Sequence, residues 1–201
     1  MISWLQVDAS RYVPELAKCA QNAIDCDVLA EAHKVFADSA VPTRLFHANR
    51  SKFLVEYRKL VSYLSSHVFG EDLVFQAVPN LRFQFPGDTA VDSWHRDSDF
   101  GHSLDEVNLW IPLTEATDSS TIWIETSQGA TSYIPVLVPV GRCLVFDGAN
   151  LSHGNVLNDS SRTRVSFDFR VVRKSQYRDR EDVRSIRHGL AFKVGEYFQS
   201  M

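Results

Sequence analysis

The longest extended run in the chain, residues 163–172, reads Thr-Arg-Val-Ser-Phe-Asp-Phe-Arg-Val-Val. In a strand, successive side chains point to opposite faces. Arg164, Ser166, Asp168 and Arg170 then share one face, and Val165, Phe167 and Phe169 the other. A helix would scatter both sets around its circumference, so the run demands a sheet with two unlike sides. The same division recurs twice. Arg82 and Gln84 oppose Leu81, Phe83 and Phe85, and Asn108 and Trp110 oppose Val107, Leu109 and Ile111. A strand face that meets water usually carries Lys, Glu and Thr, whereas these polar faces carry groups suited to directed hydrogen bonds. We therefore expect the polar faces to line a cavity and the apolar faces to be buried against helices.

Other extended runs lie at 73–78, 106–111, 121–125, 133–138, 142–146 and 154–157. They are punctuated by Pro86-Gly87, Pro112 and the turn cluster Asn158-Asp159-Ser160-Ser161. About eight short strands at close spacing predict a sandwich or barrel. Residues 10–70 read instead as mostly helical. Pro14 suits a first helical turn, and Val13, Leu16, Ala20 and Ile24 follow at helical spacing. Phe53, Tyr57, Leu60, Val61, Leu64 and Val68 form a second stripe, with Gly70 as its stop. Ala40-Val41-Pro42-Thr43, between them, reads as a loop. In the tail, the spacing of Asp182, Val183, Ile186 and Leu190 predicts a short helix that packs on the sheet or covers a site. The expectation is one domain over 1–201, mainly β with flanking helices. It comprises helical support at 1–70, a β core at 71–172 and a tail at 173–201.

At 201 residues and 44% hydrophobic content, such a chain buries on the order of 70% of its unfolded surface and needs no disulfide to fold. Cys19, Cys26 and Cys143 form no Cys-x-x-Cys pair and fit a reducing compartment. A net charge of −4 argues against nucleic acid as a partner. No apolar run reaches the ~20 residues of a membrane span, and the first residues do not have the pattern of a signal peptide. The cytoplasm is the expected location.

Chemistry concentrates in Trp94-His95-Arg96-Asp97-Ser98-Asp99-Phe100-Gly101-His102. His95 and Asp97, two apart on an extended backbone, face one point in space. Two triplets here are also protein-kinase words, His-Arg-Asp and Asp-Phe-Gly. A kinase catalytic loop requires Asn five residues after its Asp, where this chain has His102, and no glycine-rich loop precedes it. A metal at His95 and Asp97 needs a third ligand, and Ser152-His153-Gly154 offers one. Two histidines and a carboxylate on one face of a metal leave the opposite positions open, as in non-haem Fe(II) oxygenases. Arg164 follows His153 by 11 residues, with Ser166 on the same strand face. That pair suits a carboxylate.

In this order, His95-Arg96-Asp97, 55 intervening residues, His153 and Arg164-Val165-Ser166, the chain resembles the Fe(II)/2-oxoglutarate-dependent dioxygenases. Three longer stretches are similar to small bacterial members of natural-product pathways, of the streptomycin-cluster and phytanoyl-CoA-hydroxylase-like type. They are Trp94–Asp97 with Phe100-Gly101-His102, Asn108-x-Trp110-x-Pro112-Leu113-Thr114, and Arg164-Val165-Ser166-Phe167-Asp168-Phe169-Arg170. The resemblance implies a double-stranded β-helix, or jelly roll, of cupin-like form, with the helices packed on one sheet. It implies Fe(II) on His95, Asp97 and His153, 2-oxoglutarate with its far carboxylate on Arg164 and Ser166, and O₂ as oxidant. Succinate and CO₂ would be released. Family halogenases replace the acidic ligand with a small residue, so the intact Asp97 points to hydroxylation or a related oxidation.

Around that set, Asn108 is a candidate for 2-oxoglutarate or iron-bound water. Arg82 and Gln84 are candidates for substrate or co-substrate. Trp94 and Trp110 suit packing or a substrate wall. Arg170 suits an anionic substrate or an ion pair with Asp168 or Glu106. His102 has a loop or supporting role, Glu125 a structural one, and the charged run 178–182 is a solvated face. The expected substrate is a small polar metabolite such as an amino acid, amino sugar or biosynthetic intermediate. Three other readings stand beside this one: a cupin-like metal oxygenase without 2-oxoglutarate, a zinc hydrolase and a non-catalytic jelly-roll binding protein. The Arg164/Ser166 pair speaks against the first.

Overall fold

The structure, a computed structural model, describes residues 4–90, 93–186 and 189–201. It begins with strand β1 (Trp4–Asp8), followed by α1 (Val13–Ile24), the single turn α2 (Ala32–Val35), α3 (Ala40–Asn49) and α4 (Ser51–Leu64). α4 buries Phe53, Tyr57, Leu60, Val61 and Leu64 as one stripe. A widened turn, Ser65–Phe69, carries it to Gly70, whose φ of +71° closes the helix. The expected loop at 40–43 is instead the first turn of α3. Pro42 is tolerated there because early helical N–H groups have no intrahelical partner. The Asp38 carboxylate accepts from the N–H groups of Ala40 (2.9 Å) and Val41 (3.0 Å) in the same turn.

The strands that follow are β2 (Leu73–Gln76), β3 (Asn80–Gln84), β4 (Val107–Pro112), β5 (Ile122–Glu125), β6 (Tyr133–Val136), β7 (Arg142–Phe146), β8 (His153–Gly154) and β9 (Arg164–Arg173). β10 (Arg180–Arg184), β11 (Ala191–Phe192) and β12 (Phe198–Ser200) complete the chain. A seven-stranded antiparallel sheet runs β1-β7-β4-β9-β2-β12, with β3 also on β9, and a smaller sheet runs β6-β5-β8. β9 is the axis of the large sheet. One edge pairs with β3 along Arg164–Asp168 and with β2 along Val171–Arg173, and the other edge pairs with β4.

The parity of β9 places its two faces as the alternation requires. Val165, Phe167, Phe169 and Val171 are fully buried in a core shared with Leu81, Phe83, Leu109, Ile111 and the inner stripes of α1 and α4. Phe167 meets Phe53 edge-on at 5.3 Å, and Phe169 meets Tyr57 at 4.9 Å. Such aromatic pairs add about 0.5–1.5 kcal/mol each beyond their area.

The tail departs from expectation. Where spacing predicts a helix, β10 and β11 form a short hairpin, with residues 187–188 outside the described set. Ile186 is 71% exposed, so no apolar stripe is available to hold a helix against the sheet. Phe192, Tyr197 and Phe198 instead form a small core with Val74. Arg180 donates to the Gly101 carbonyl (2.7 Å), bracing the loop that follows Asp97. None of the described helices is long and apolar enough to cross a membrane.

Candidate active site

His95 and His153 are brought together by main chain. Each N–H donates to the other's carbonyl, at 3.1 and 2.9 Å, and their rings lie 4.6 Å apart. Arg96 is extended (φ −99°, ψ 144°), which carries the chain two residues on to the same side. Asp97 then opens a 3-10 turn, Asp97–Phe100, and its N–H is fixed to the Gly148 carbonyl (2.9 Å). The Arg96 side chain points the other way. It binds both Glu125 oxygens (3.0 Å each) and the Asn150 carbonyl, while Glu125 accepts from the Ser152 N–H. That ion pair ties the His95 segment to the His153 segment.

The ligand atoms of His95, Asp97 and His153 all lie within 4.8 Å of one another. His95 Nε2 is 3.6 Å and His153 Nε2 3.8 Å from Asp97 Oδ1. Each imidazole has its Nδ1 3.0 Å from a carbonyl oxygen, Ser93 for His95 and Leu151 for His153. A carbonyl only accepts, so Nδ1 carries the proton and Nε2 presents its lone pair to the shared point. Burial lowers the His153 pKa to about 4, which keeps it in the neutral, ligating form. Asp97 is oriented from behind. Its Oδ2 accepts from Arg170 Nε (2.7 Å) and Asn108 Nδ2 (2.6 Å), and its Oδ1 from Arg170 Nη2 (3.0 Å). Burial alone would raise the Asp97 pKa, but the Arg170 charge and hydrogen bonds hold it well below the usual carboxylate range.

These residues fit a metal ion on one further count. Asn108 Oδ1 is buried and has no hydrogen-bond partner. An orphaned acceptor costs about 1–3 kcal/mol, and here it stands beside the ligand carboxylate, where a metal-bound water would donate to it. Asn108 occupies this place because residue 148 is glycine: a Cβ there would lie 2.4 Å from Asn108 Cγ. Gly148→Ala should therefore lower stability in urea by about 1–3 kcal/mol, as overpacking does. The double variant Gly148→Ala/Asn108→Ala should regain most of that loss. If the losses simply added, the clash would not be the cause.

A cavity of about 400 Å³, part of it open to solvent, has Arg82, His95, Asn108, Trp110, His153 and Arg170 among its walls. Arg170, although in the wall, has its hydrogen bonds committed: Nε and Nη2 rest on Asp97 and Nη1 meets Asp168 (2.9 Å). Glu106 pairs instead with His102 (2.6 Å). Arg164 is only 1% exposed and lies against the Trp110 ring at 5.8 Å. Its Nε donates to the Ser120 carbonyl (2.8 Å), Nη1 to Ser166 (2.7 Å) and Nη2 to Gln84 (2.8 Å). No carboxylate pairs with it among the described residues, and burial pushes its pKa down to about 9. Trp94 does not line the cavity; it is 41% exposed, tilted at 51° against the Tyr133 ring and packed over Gly154. No described residue of the tail beyond β9 lines this cavity.

No family model matches the chain. Among solved structures, EctD from S. alaskensis superposes with a TM-score of 0.66 at 14% identity, covering 94% of this chain and 80% of that one. The α-ketoglutarate-dependent carbocyclase SnoK from nogalamycin biosynthesis gives 0.58 at 12% identity, covering 100% and 92%. CytC3 with Fe(II) and α-ketoglutarate gives 0.57 at 15%, covering 96% and 82%. The chain therefore shares the fold of these solved proteins, and within it His95, Asp97 and His153 stand as a group that could hold a metal ion. The streptomycin biosynthesis protein StrG of Streptomyces griseus is 39% identical over 191 residues, spanning 93% of this chain and 92% of StrG, and the chain belongs to its family.

Proposed function

We propose that this protein is a non-haem Fe(II)/2-oxoglutarate-dependent oxygenase that hydroxylates a C–H bond of a small polar metabolite. The observation that carries the reading is the buried Arg164 without a carboxylate, next to a two-histidine, one-carboxylate set. Burying a lone cation is costly, and a carboxylate brought in by a ligand removes that cost. Iron, 2-oxoglutarate and O₂ would supply the oxidising power, with succinate and CO₂ as co-products.

The chain's residues divide the remaining work. His95 and His153 would present their Nε2 lone pairs and Asp97 its Oδ1, while Arg170 and Asn108 hold Oδ2 and Arg170 Nη2 also steadies Oδ1. Asn108 Oδ1, buried and without a partner, would be the acceptor that the metal site offers to a donor beside Asp97. Arg164 and Ser166 hold the far carboxylate of 2-oxoglutarate, with Gln84 orienting Arg164. Trp110 covers Arg164, and the apolar walls Ile122 and Phe146 limit water. Membership in the StrG family favours a natural-product intermediate as substrate. SnoN is an epimerase and SnoK a carbocyclase, so related outcomes of hydrogen removal belong to the same test.

Mixing protein, Fe(II) and 2-oxoglutarate without O₂ should produce a weak visible absorption band, and admitting O₂ should release succinate, faster when a substrate from a metabolite panel is present. A protein that binds zinc but forms no such band would be a hydrolase or a binding module. Succinate-free oxidation would indicate an oxygenase of the cupin-like kind.

A further inference from the structure

The polar faces of β3 and β9, with the Asp97 turn, bring together three guanidiniums, Arg82, Arg164 and Arg170, and two carboxylates, Asp97 and Asp168. A divalent metal and a dianionic 2-oxo acid would cancel each other. The cluster therefore carries one positive charge more than negative, with or without them. This step rests on the function proposed above only for the identity of those two ligands.

The surplus is accessible at one place. Arg170 is held between Asp97 and Asp168, and Arg164 is enclosed. Arg82 binds Asp168 through Nε (2.5 Å), and Asn80 steadies the same carboxylate (2.9 Å). Neither Nη of Arg82 has a hydrogen-bond partner among the described residues, and its side chain is 16% exposed. Arg82 also stands in a wall shared by two spaces. One is the metal cavity, and the other is an open groove of about 780 Å³, counted with its mouth, floored by β3 and faced by Ser39, just before α3, and by Thr43 and His47 along that helix. Burial, with Arg50 nearby, lowers the His47 pKa, so Arg82 is the cation that the groove offers at neutral pH.

We infer that Arg82 receives an anionic group, a carboxylate or phosphate, of the organic substrate, which reaches the metal cavity from the groove beneath α3. The free edge of a planar guanidinium matches paired anionic oxygens. Its Nε bond to Asp168 fixes the direction of that edge.

The test uses inorganic phosphate as probe and its ³¹P signal as readout, with the protein loaded with Mn(II) and 2-oxoglutarate. Phosphate at Arg82 shares a cavity with the metal ligands, so the wild-type protein should broaden its signal. Arg82→Gln should weaken binding roughly tenfold or more, and Arg82→Lys, which keeps the charge but not the planar fork, should retain only part of it. Equal broadening in Arg82→Gln would overturn the assignment. So would loss of 2-oxoglutarate binding with phosphate binding intact, which would move Arg82 to the co-substrate. Should Mn(II) and 2-oxoglutarate fail to bind, the proposed function falls. The Arg82 dependence is then still read by calorimetry of phosphate on the metal-free protein. Ala40→Trp narrows the groove from an exposed position on α3. It should reduce phosphate broadening with metal binding unchanged, and undiminished broadening would count against the groove as the route.

Discussion

Asp97→Ala should abolish metal binding and weaken the fold at the same time. The first effect follows from geometry: Asp97 Oδ1 is the atom that both imidazole Nε2 atoms approach, at 3.6 and 3.8 Å. Losing a group that merely orients a ligand costs about 10–100-fold in metal affinity, so losing the ligand itself should cost at least about 100-fold. Succinate release should fall to background. The second effect comes from Arg170. Its Nε and Nη2 both rest on Asp97 in a fully buried site. Breaking a buried ion pair by removing one partner costs about 3–5 kcal/mol when the other charge is left uncompensated, and the Asp168 contact that Arg170 keeps should place the loss toward the lower end of that range. Adding Arg170→Met to Asp97→Ala should therefore return part of the stability but none of the metal affinity. Calorimetry with Co(II) and urea denaturation separate the two. Unchanged succinate formation in Asp97→Ala would sink the assignment of the centre.

How far such a site can be read from sequence depends on whether its parts have a local period. The β9 faces do. Alternation forces Arg164, Ser166, Asp168 and Arg170 to one side, and the structure puts Phe167 and Phe169 against α4 on the other. The α4 stripe and the Gly70 stop are legible for the same reason. His95 and Asp97 are legible because one extended residue separates them. The partners of these groups are not. Arg170 meets Asp97 across 73 residues, and Arg96 meets Glu125 across 29. No spacing rule connects such pairs, since only the folded sheet brings them into reach. Gly148 is silent in sequence for a different reason: its importance is the volume of Asn108, which sits 40 residues away on β4. β1 escapes notice because five residues on the edge of β7 bury little. The tail misleads because Ile186 and Leu190 stand at helical spacing while both are exposed. Periodicity shows which side chains share a face but not whether anything covers that face.

The contrast between Asp97 and Arg164 gives the second large prediction. Arg164→Met should leave the protein folded, within about 1.5 kcal/mol of wild type, because it removes a buried cation that has no anion to leave behind. The lost hydrogen bonds to Ser120, Ser166 and Gln84 work against that gain, and the methionine stem fills most of the space. The 2-oxoglutarate requirement should nevertheless rise about 10- to 150-fold, the equivalent of one charge-assisted, two-point contact. Metal affinity should hold, since Arg164 touches none of the three ligands. Two measurements read the outcome together: the anaerobic absorption titration with 2-oxoglutarate, and thermal melting with and without it. Ligand binding raises the melting point of wild type through mass action, and Arg164→Met should lose that shift while its unliganded melting point stays near the wild-type value. Arg164→Lys keeps the charge but not the planar fork, so it should recover the shift only in part. An undiminished shift in Arg164→Met would mean that the carboxylate is held elsewhere, with Arg82 as the next cation in the cavity wall.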